Sequence, residues 1–183
     1  FGVFGALSYD YHSNVVAASM VPWFIYWIER RKVFYSFLVL FFILISKENI
    51  SLWMCFVCLG LVVNYRNDIQ LRKFLVLASI FCGVYFISVI SFIMPSLSSI
   101  GTFAHFDYDY LGNSPKEAIV FLISHPLDSI KGLFINPYDN TDLDYIKAEL
   151  HIVLLCSGLL FLIKKPQYLF MLIPIFFQKL FHN

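Results

Sequence analysis

Between Lys73 and Met94 the chain carries no charged residue after its first position. An α-helix needs about 20 apolar residues to cross the hydrocarbon core of a bilayer, and this run supplies them. A helix of that length in a soluble protein would keep a charged face, so the run excludes most soluble folds. The rest of the sequence agrees. Hydrophobic residues make up 60% and charged residues 14%, where a soluble domain carries about a quarter charged. Aromatics reach 19%, led by Phe, which suits lipid-facing helices and interfacial belts. A net charge of +1 makes no electrostatic case for nucleic acid.

Five further apolar runs lie at approximately Val15–Ile28, Val33–Ser46, Ile50–Val63, Leu150–Ile163 and Gln167–Phe181. They are shorter than the fourth, Lys73–Met94. They must borrow flanking residues, sit in a thinned bilayer or stop at a cavity. The expected fold is therefore all-α: a polytopic transmembrane helical bundle of about six membrane segments, forming a single membrane domain over residues 1–183. The chain begins on Phe1 with no charged leader and cleavage site, and Gly2–Leu7 reads as the tail of a helix. The sequence reads as a fragment of a longer protein.

Orientation follows from the Lys/Arg bias of cytoplasmic loops. Arg30, Arg31 and Lys32 follow the first run; Arg66, Arg72 and Lys73 follow the third; Lys164 and Lys165 follow the fifth. With those loops inside, Ser8–Asn14, Lys47–Asn49 and Pro95–Glu149 fall outside. The inner loops then hold eight Lys/Arg and two acids, Glu29 and Asp68, while the outer side holds five Lys/Arg and ten acids. Val33–Val63 can be drawn as one bent helix with Lys47 and Glu48 at mid-membrane. That reading would bury a charge pair at a cost of several kcal/mol. A hairpin with its tip at Ser46-Lys47-Glu48-Asn49 avoids the cost and is preferred.

The outer loop 95–149 carries helix signals. Ser114-Pro115-Lys116-Glu117 has an N-cap, a Pro at the first helical position and a capping-box Glu. A short interfacial helix is expected near 114–124, ended by His125-Pro126, and a second near 126–134.

Three clusters can carry chemistry. In Tyr9-Asp10-Tyr11-His12-Ser13-Asn14, Asp10 and His12 can share a proton, bind a metal or hold a sugar hydroxyl. The plain alternative is a solvated loop acid followed by a helix cap. In Lys47-Glu48-Asn49, Lys47 is a point charge suited to a phosphate oxygen and Glu48 can orient it or act as a base. The alternative is an ordinary turn with snorkelling side chains. In His105-Phe106-Asp107-Tyr108-Asp109-Tyr110, an extended backbone would put His105, Asp107 and Asp109 on one face, where they can hold a divalent cation. A solvated aromatic loop accounts for the same residues. Cys55, Cys58, Cys82 and Cys156 lie in apolar runs and read as small core or lipid-facing residues. No phosphate-binding glycine loop, serine-hydrolase elbow or zinc-protease motif is present.

The order of these pieces resembles a family of predicted bacterial membrane proteins, domain of unknown function 2079. The resemblance rests on Tyr9-Asp10-Tyr11-His12 before a helix ending Glu29-Arg30-Arg31, then Ser46-Lys47-Glu48-Asn49 and Asn64-Tyr65-Arg66. It continues through Tyr110-Leu111-Gly112-Asn113-Ser114-Pro115 and His125-Pro126-Leu127. Ser13 stands where the family tends to have Pro, and Asn49 where an acid is common. That family is distantly similar to the GT-C glycosyltransferases, membrane enzymes that take sugars from polyprenyl-phosphate donors at the outer face. The resemblance implies a bacterial inner (cytoplasmic) membrane location and a lipid-linked sugar as partner. It implies Asp10, His12 and Glu48 in catalytic roles, with Lys47, Asn49, Tyr9 and Tyr11 contacting substrate or lipid phosphate. It also implies a further carboxylate in a first outer loop preceding Phe1. Two other classes fit short, charge-bearing helices: a transporter or channel, with charges lining a through-path, and a non-catalytic membrane scaffold.

Overall fold

A computed structural model describes residues 13–97, 110–112, 115–135 and 144–180. Every regular element among them is helical. The chain divides into two compact units, Phe1–Ser99 and Ile100–Asn183.

The first unit begins with α1 (Ser13–Glu29), α2 (Val33–Ser46) and α3 (Glu48–Asn64). Next comes α4 (Ile69–Ser88), which runs on through a π-helical turn, Val89–Ile93, into the short α5, Met94–Leu97. Helix α1 packs along α2, and α3 along α4, with a lighter contact between α2 and α3. The buried residues recur at helical spacing. Ser36, Leu40, Ile43 and Leu44 face inward on α2, Ile50, Met54, Cys58 and Leu61 on α3, and Leu71, Leu75, Ala78 and Cys82 on α4. Small residues let α3 and α4 approach closely. There the Ser79 hydroxyl donates to the Cys55 carbonyl at 3.2 Å.

The opposite faces are apolar too. Phe34, Phe37, Phe41, Phe42 and Ile45 stand exposed on α2, and Leu77, Ile80, Val84 and Ile87 on α4. Ile69–Ser96 is, among the described residues, the one helix long and apolar enough to cross a membrane. Only 22% of its most apolar stretch is buried, whereas the core helix of a soluble protein is mostly covered. At 28 residues it is about 42 Å long, against about 21 Å for α2 and about 25 Å for α3.

Two turns close the helix pairs. At the end of α1 the Arg31 amide donates to the Ile28 carbonyl and the Lys32 amide to that of Trp27. This is the double bond of a Schellman cap, with Arg31 in the left-handed position, φ 56°, that glycine usually takes. At the start of α4, Asp68 caps the helix by accepting from the Leu71 amide at 3.1 Å. The two turns meet: Arg31 Nη2 lies 3.1 Å from Asp68 Oδ2. Helices α2 and α3 therefore leave one end of the unit and return to it, with Lys47 at the far end. A single continuous helix over Val33–Val63 would hold Arg31 and Asp68 roughly 50 Å apart at 1.5 Å per residue.

The second unit contains α6 (Pro115–Ser124), α7 (Pro126–Phe134), α8 (Asp144–Leu154), α9 (Leu160–Leu162) and α10 (Pro166–Leu180). Pro115, Pro126 and Pro166 each open a helix, where the missing N–H has no cost. Leu111 and Ala118 form a small core with Tyr110, Phe121, Leu122 and Leu133 around it. Gly112, at φ 126°, is required there: a Cβ would come within 2.7 Å of Glu117 Cβ. The apolar run Leu150–Ile163 is not one straight helix. A π-helical turn, Leu155–Leu159, joins α8 to α9, and Gly158 inside it sits at φ 98°, ψ 15°. That conformation is open to glycine and interrupts the helical ladder.

Candidate functional site

Asp10, His12, Tyr9 and Tyr11 lie outside the described residues, as do His105, Asp107 and Asp109. Among the described residues no three His, Cys, Asp or Glu side chains are grouped as a metal site would require.

Lys47, Glu48 and Asn49 are described. Lys47 is the single non-helical residue between α2 and α3, with extended backbone, φ −164°, ψ 144°. It ends one helix and stands at the N-cap of the next, and its side chain makes no capping bond. The first-turn amides of α3 therefore receive no side-chain acceptor from Lys47. Glu48 is in that first turn, where a carboxylate is favoured by the helix dipole. All three residues are half-buried. Neither the Lys47 ammonium nor the Glu48 carboxylate has an ion-pair partner among the described residues. The Ser46 hydroxyl donates to the Phe42 carbonyl at 2.8 Å, and the Ser51 hydroxyl donates to the Glu48 carbonyl. These bonds turn both hydroxyls back into their helices, so the groups left at the tip are Lys47, Glu48, Asn49 and the α3 amides. Such a tip can accept an anion: a cation beside open N–H donors at a helix N-terminus is phosphate-binding chemistry.

Four other arrangements were not legible in the sequence. The Arg31–Asp68 pair joins two turns that lie far apart along the chain. At the same end Arg30 lies over the Tyr26 ring at 5.4 Å, and Lys32 lies 5.4 Å from the Trp27 ring and 5.7 Å from that of Tyr35. In the second unit, Lys147 Nζ donates to the Gly132 carbonyl at 2.6 Å and to Ile135 at 3.3 Å, closing the C-terminal end of α7. Burial holds this ammonium below its ordinary pKa. Phe121 stacks on His125 at 5.0 Å beside a groove of about 420 Å³ lined by Leu111, Glu117, Val120, Phe121, Ser124 and His125. The Tyr110 hydroxyl donates to the Asp128 carbonyl at 3.1 Å, and desolvation, with the Asp128 charge second, raises its pKa. The only sequence signals for this groove were the aromatic at 121 and the His125-Pro126 break, which mark a helix end rather than a pocket.

A family model described as "Predicted membrane protein (DUF2079)" matches residues 2–183. Neither the curated proteins nor the solved structures give a match.

Proposed function

The chain belongs to the DUF2079 family of predicted membrane proteins, and from that premise we propose that it is a GT-C-like glycosyltransferase using a polyprenyl-phosphate-linked sugar at the outer face of the bacterial inner membrane. The observation that carries this reading is the half-buried Lys47 at the tip between α2 and α3, beside the α3 amides and without an ion-pair partner among the described residues. The depth of the tip supports it. Helices of about 21 and 25 Å, counted from the basic turns, end short of the far side of a hydrocarbon core of about 30 Å. A cation there meets a lipid phosphate drawn slightly below headgroup level and remains out of reach of bulk solutes.

In this reading an acceptor hydroxyl attacks the anomeric carbon while the bond from that carbon to the donor phosphate breaks. A carboxylate, Asp10 or Glu48, takes the hydroxyl proton, with His12 two residues beyond Asp10 in the sequence. The Lys47 ammonium and the α3 amides hold the charge left on the departing lipid phosphate. Asn49, Tyr9 and Tyr11 contact sugar or lipid.

The test is transfer from a polyprenyl-phosphate sugar to acceptor in membranes containing the full chain. Lys47→Ala is expected to reduce the rate by 10² or more, the scale of losing one charge-stabilising donor. Lys47→Arg, which keeps the charge, restores part of it. Undiminished transfer by Lys47→Ala would remove Lys47 from the mechanism.

A further inference from the structure

We propose that the two paired turns at the basic end of the first unit form a seat for the headgroup of an anionic phospholipid. This site lies at the opposite end of α2 and α3 from Lys47 and does not depend on the transferase reading.

The Arg31–Asp68 contact brings Arg30, Arg31 and Lys32 of one turn next to Arg66, Arg72 and Lys73 of the other. All six are exposed, and only Glu29 and Asp68 offset them. Between the turns runs a groove of about 450 Å³ lined by Arg31, Asn64, Tyr65, Asn67, Asp68 and Ile69. Asp68 holds the Arg31 guanidinium in place through one Nη atom. A guanidinium has five donors in a planar fork, so others remain to meet a phosphate. Arg72 is held similarly, its Nη1 donating to the Arg66 carbonyl at 3.2 Å.

What identifies a lipid, and not a free anion, is the continuity of this groove with apolar surface. Ile69, in the groove wall, is the first residue of α4 and is 61% exposed. Leu77 and Ile80 continue an exposed apolar surface along that helix. Val33 and Phe34, which open α2 directly after the first turn, are exposed as well. A molecule seated here meets cations at one end and lipid-facing side chains at the other. Trp27 and Tyr35, stacked at 4.9 Å with Lys32 above them, are the aromatic residues expected at headgroup level.

The test uses the full chain, purified from nanodiscs containing phosphatidylglycerol and phosphatidylcholine, with retained lipid read by native mass spectrometry. The triple substitution Arg31→Gln, Arg66→Gln, Arg72→Gln is expected to weaken phosphatidylglycerol retention on the order of 100-fold, from about fivefold per juxtamembrane cation. Glu29→Gln should strengthen it several-fold, since an offsetting charge beside the first turn is gone while the Arg31–Asp68 pair that joins the turns stays. Lys164→Gln with Lys165→Gln should leave retention unchanged, and millimolar inorganic phosphate should not displace the lipid. Retention by the triple variant, a loss in Glu29→Gln, an equal loss in the Lys164/Lys165 variant or displacement by phosphate would each overturn the proposal. Because Glu29→Gln predicts a gain, misfolding of the triple variant cannot imitate the full pattern.

Discussion

Arg31 occupies a backbone position that disfavours every side chain, and its guanidinium gives a reason for it to be there. A non-glycine residue in the left-handed region costs roughly 1–2 kcal/mol, while an exposed ion pair returns about 0–1 kcal/mol. The two effects separate by substitution. Arg31→Gly should leave stability within about 1 kcal/mol of the parent, because relief of the backbone offsets loss of the pair. Arg31→Ala loses the pair and keeps the backbone cost, so it should be less stable than Arg31→Gly by about 1 kcal/mol. Denaturation of the two variants in the same detergent makes the comparison; equal stabilities would deny the cap its left-handed cost. This feature was illegible in the sequence, where Glu29-Arg30-Arg31-Lys32 reads only as a basic loop. No helix-stop glycine marks the cap, and Asp68 is far from Arg31 along the chain. The tip was legible for the opposite reason. Lys47-Glu48 is a charged break in an apolar run, and local sequence alone requires something to happen there.

Helix α4 shows what periodicity could and could not supply. Its apolar run marks it plainly, but its buried and exposed faces are both apolar, so the pattern does not say which side packs. Burial separates them: Leu71, Leu75, Ala78 and Cys82 face helices, while Leu77, Ile80 and Val84 face outward. In water, a surface substitution such as Ile80→Lys would change stability by about 0.5 kcal/mol or less. In a membrane it moves a charge into the hydrocarbon at about 3 kcal/mol. A glycosylation-reporter insertion assay on Ile80→Lys should therefore show the inserted fraction of α4 fall sharply; insertion equal to the parent would be evidence against a lipid-facing surface there. Pro115 and Pro126 announced the starts of α6 and α7 because proline's fixed φ and missing N–H act locally. The π-helical turns at Val89–Ile93 and Leu155–Leu159 had no such local signature, since a Gly such as Gly158 inside an apolar run is equally common in a straight membrane helix.

For the molecule as a whole, the Arg31–Asp68 contact fixes a relation that charge counting could only suggest: the turns after α1 and after α3 share one end. Single cysteines introduced as Arg30→Cys and Asn67→Cys, in a Cys156→Ser background, should react with a membrane-impermeant thiol reagent from the same side. Lys47→Cys should not react from that side. Labelling of the two turns from opposite sides would break the hairpin. The arrangement has a consequence for how such a chain enters a membrane held at a potential. In the proposed topology α2 and α3 insert as a pair, the basic turns stay where they were made, and the tip alone moves toward the far side. That tip holds Lys47 and Glu48 side by side, so the net charge moved is zero. A tip with Lys47 alone would work against the field at about 2.3 kcal/mol for each 100 mV. In that topology Glu48, whatever its part in the proposed site, makes the movement of its neighbour electrically neutral.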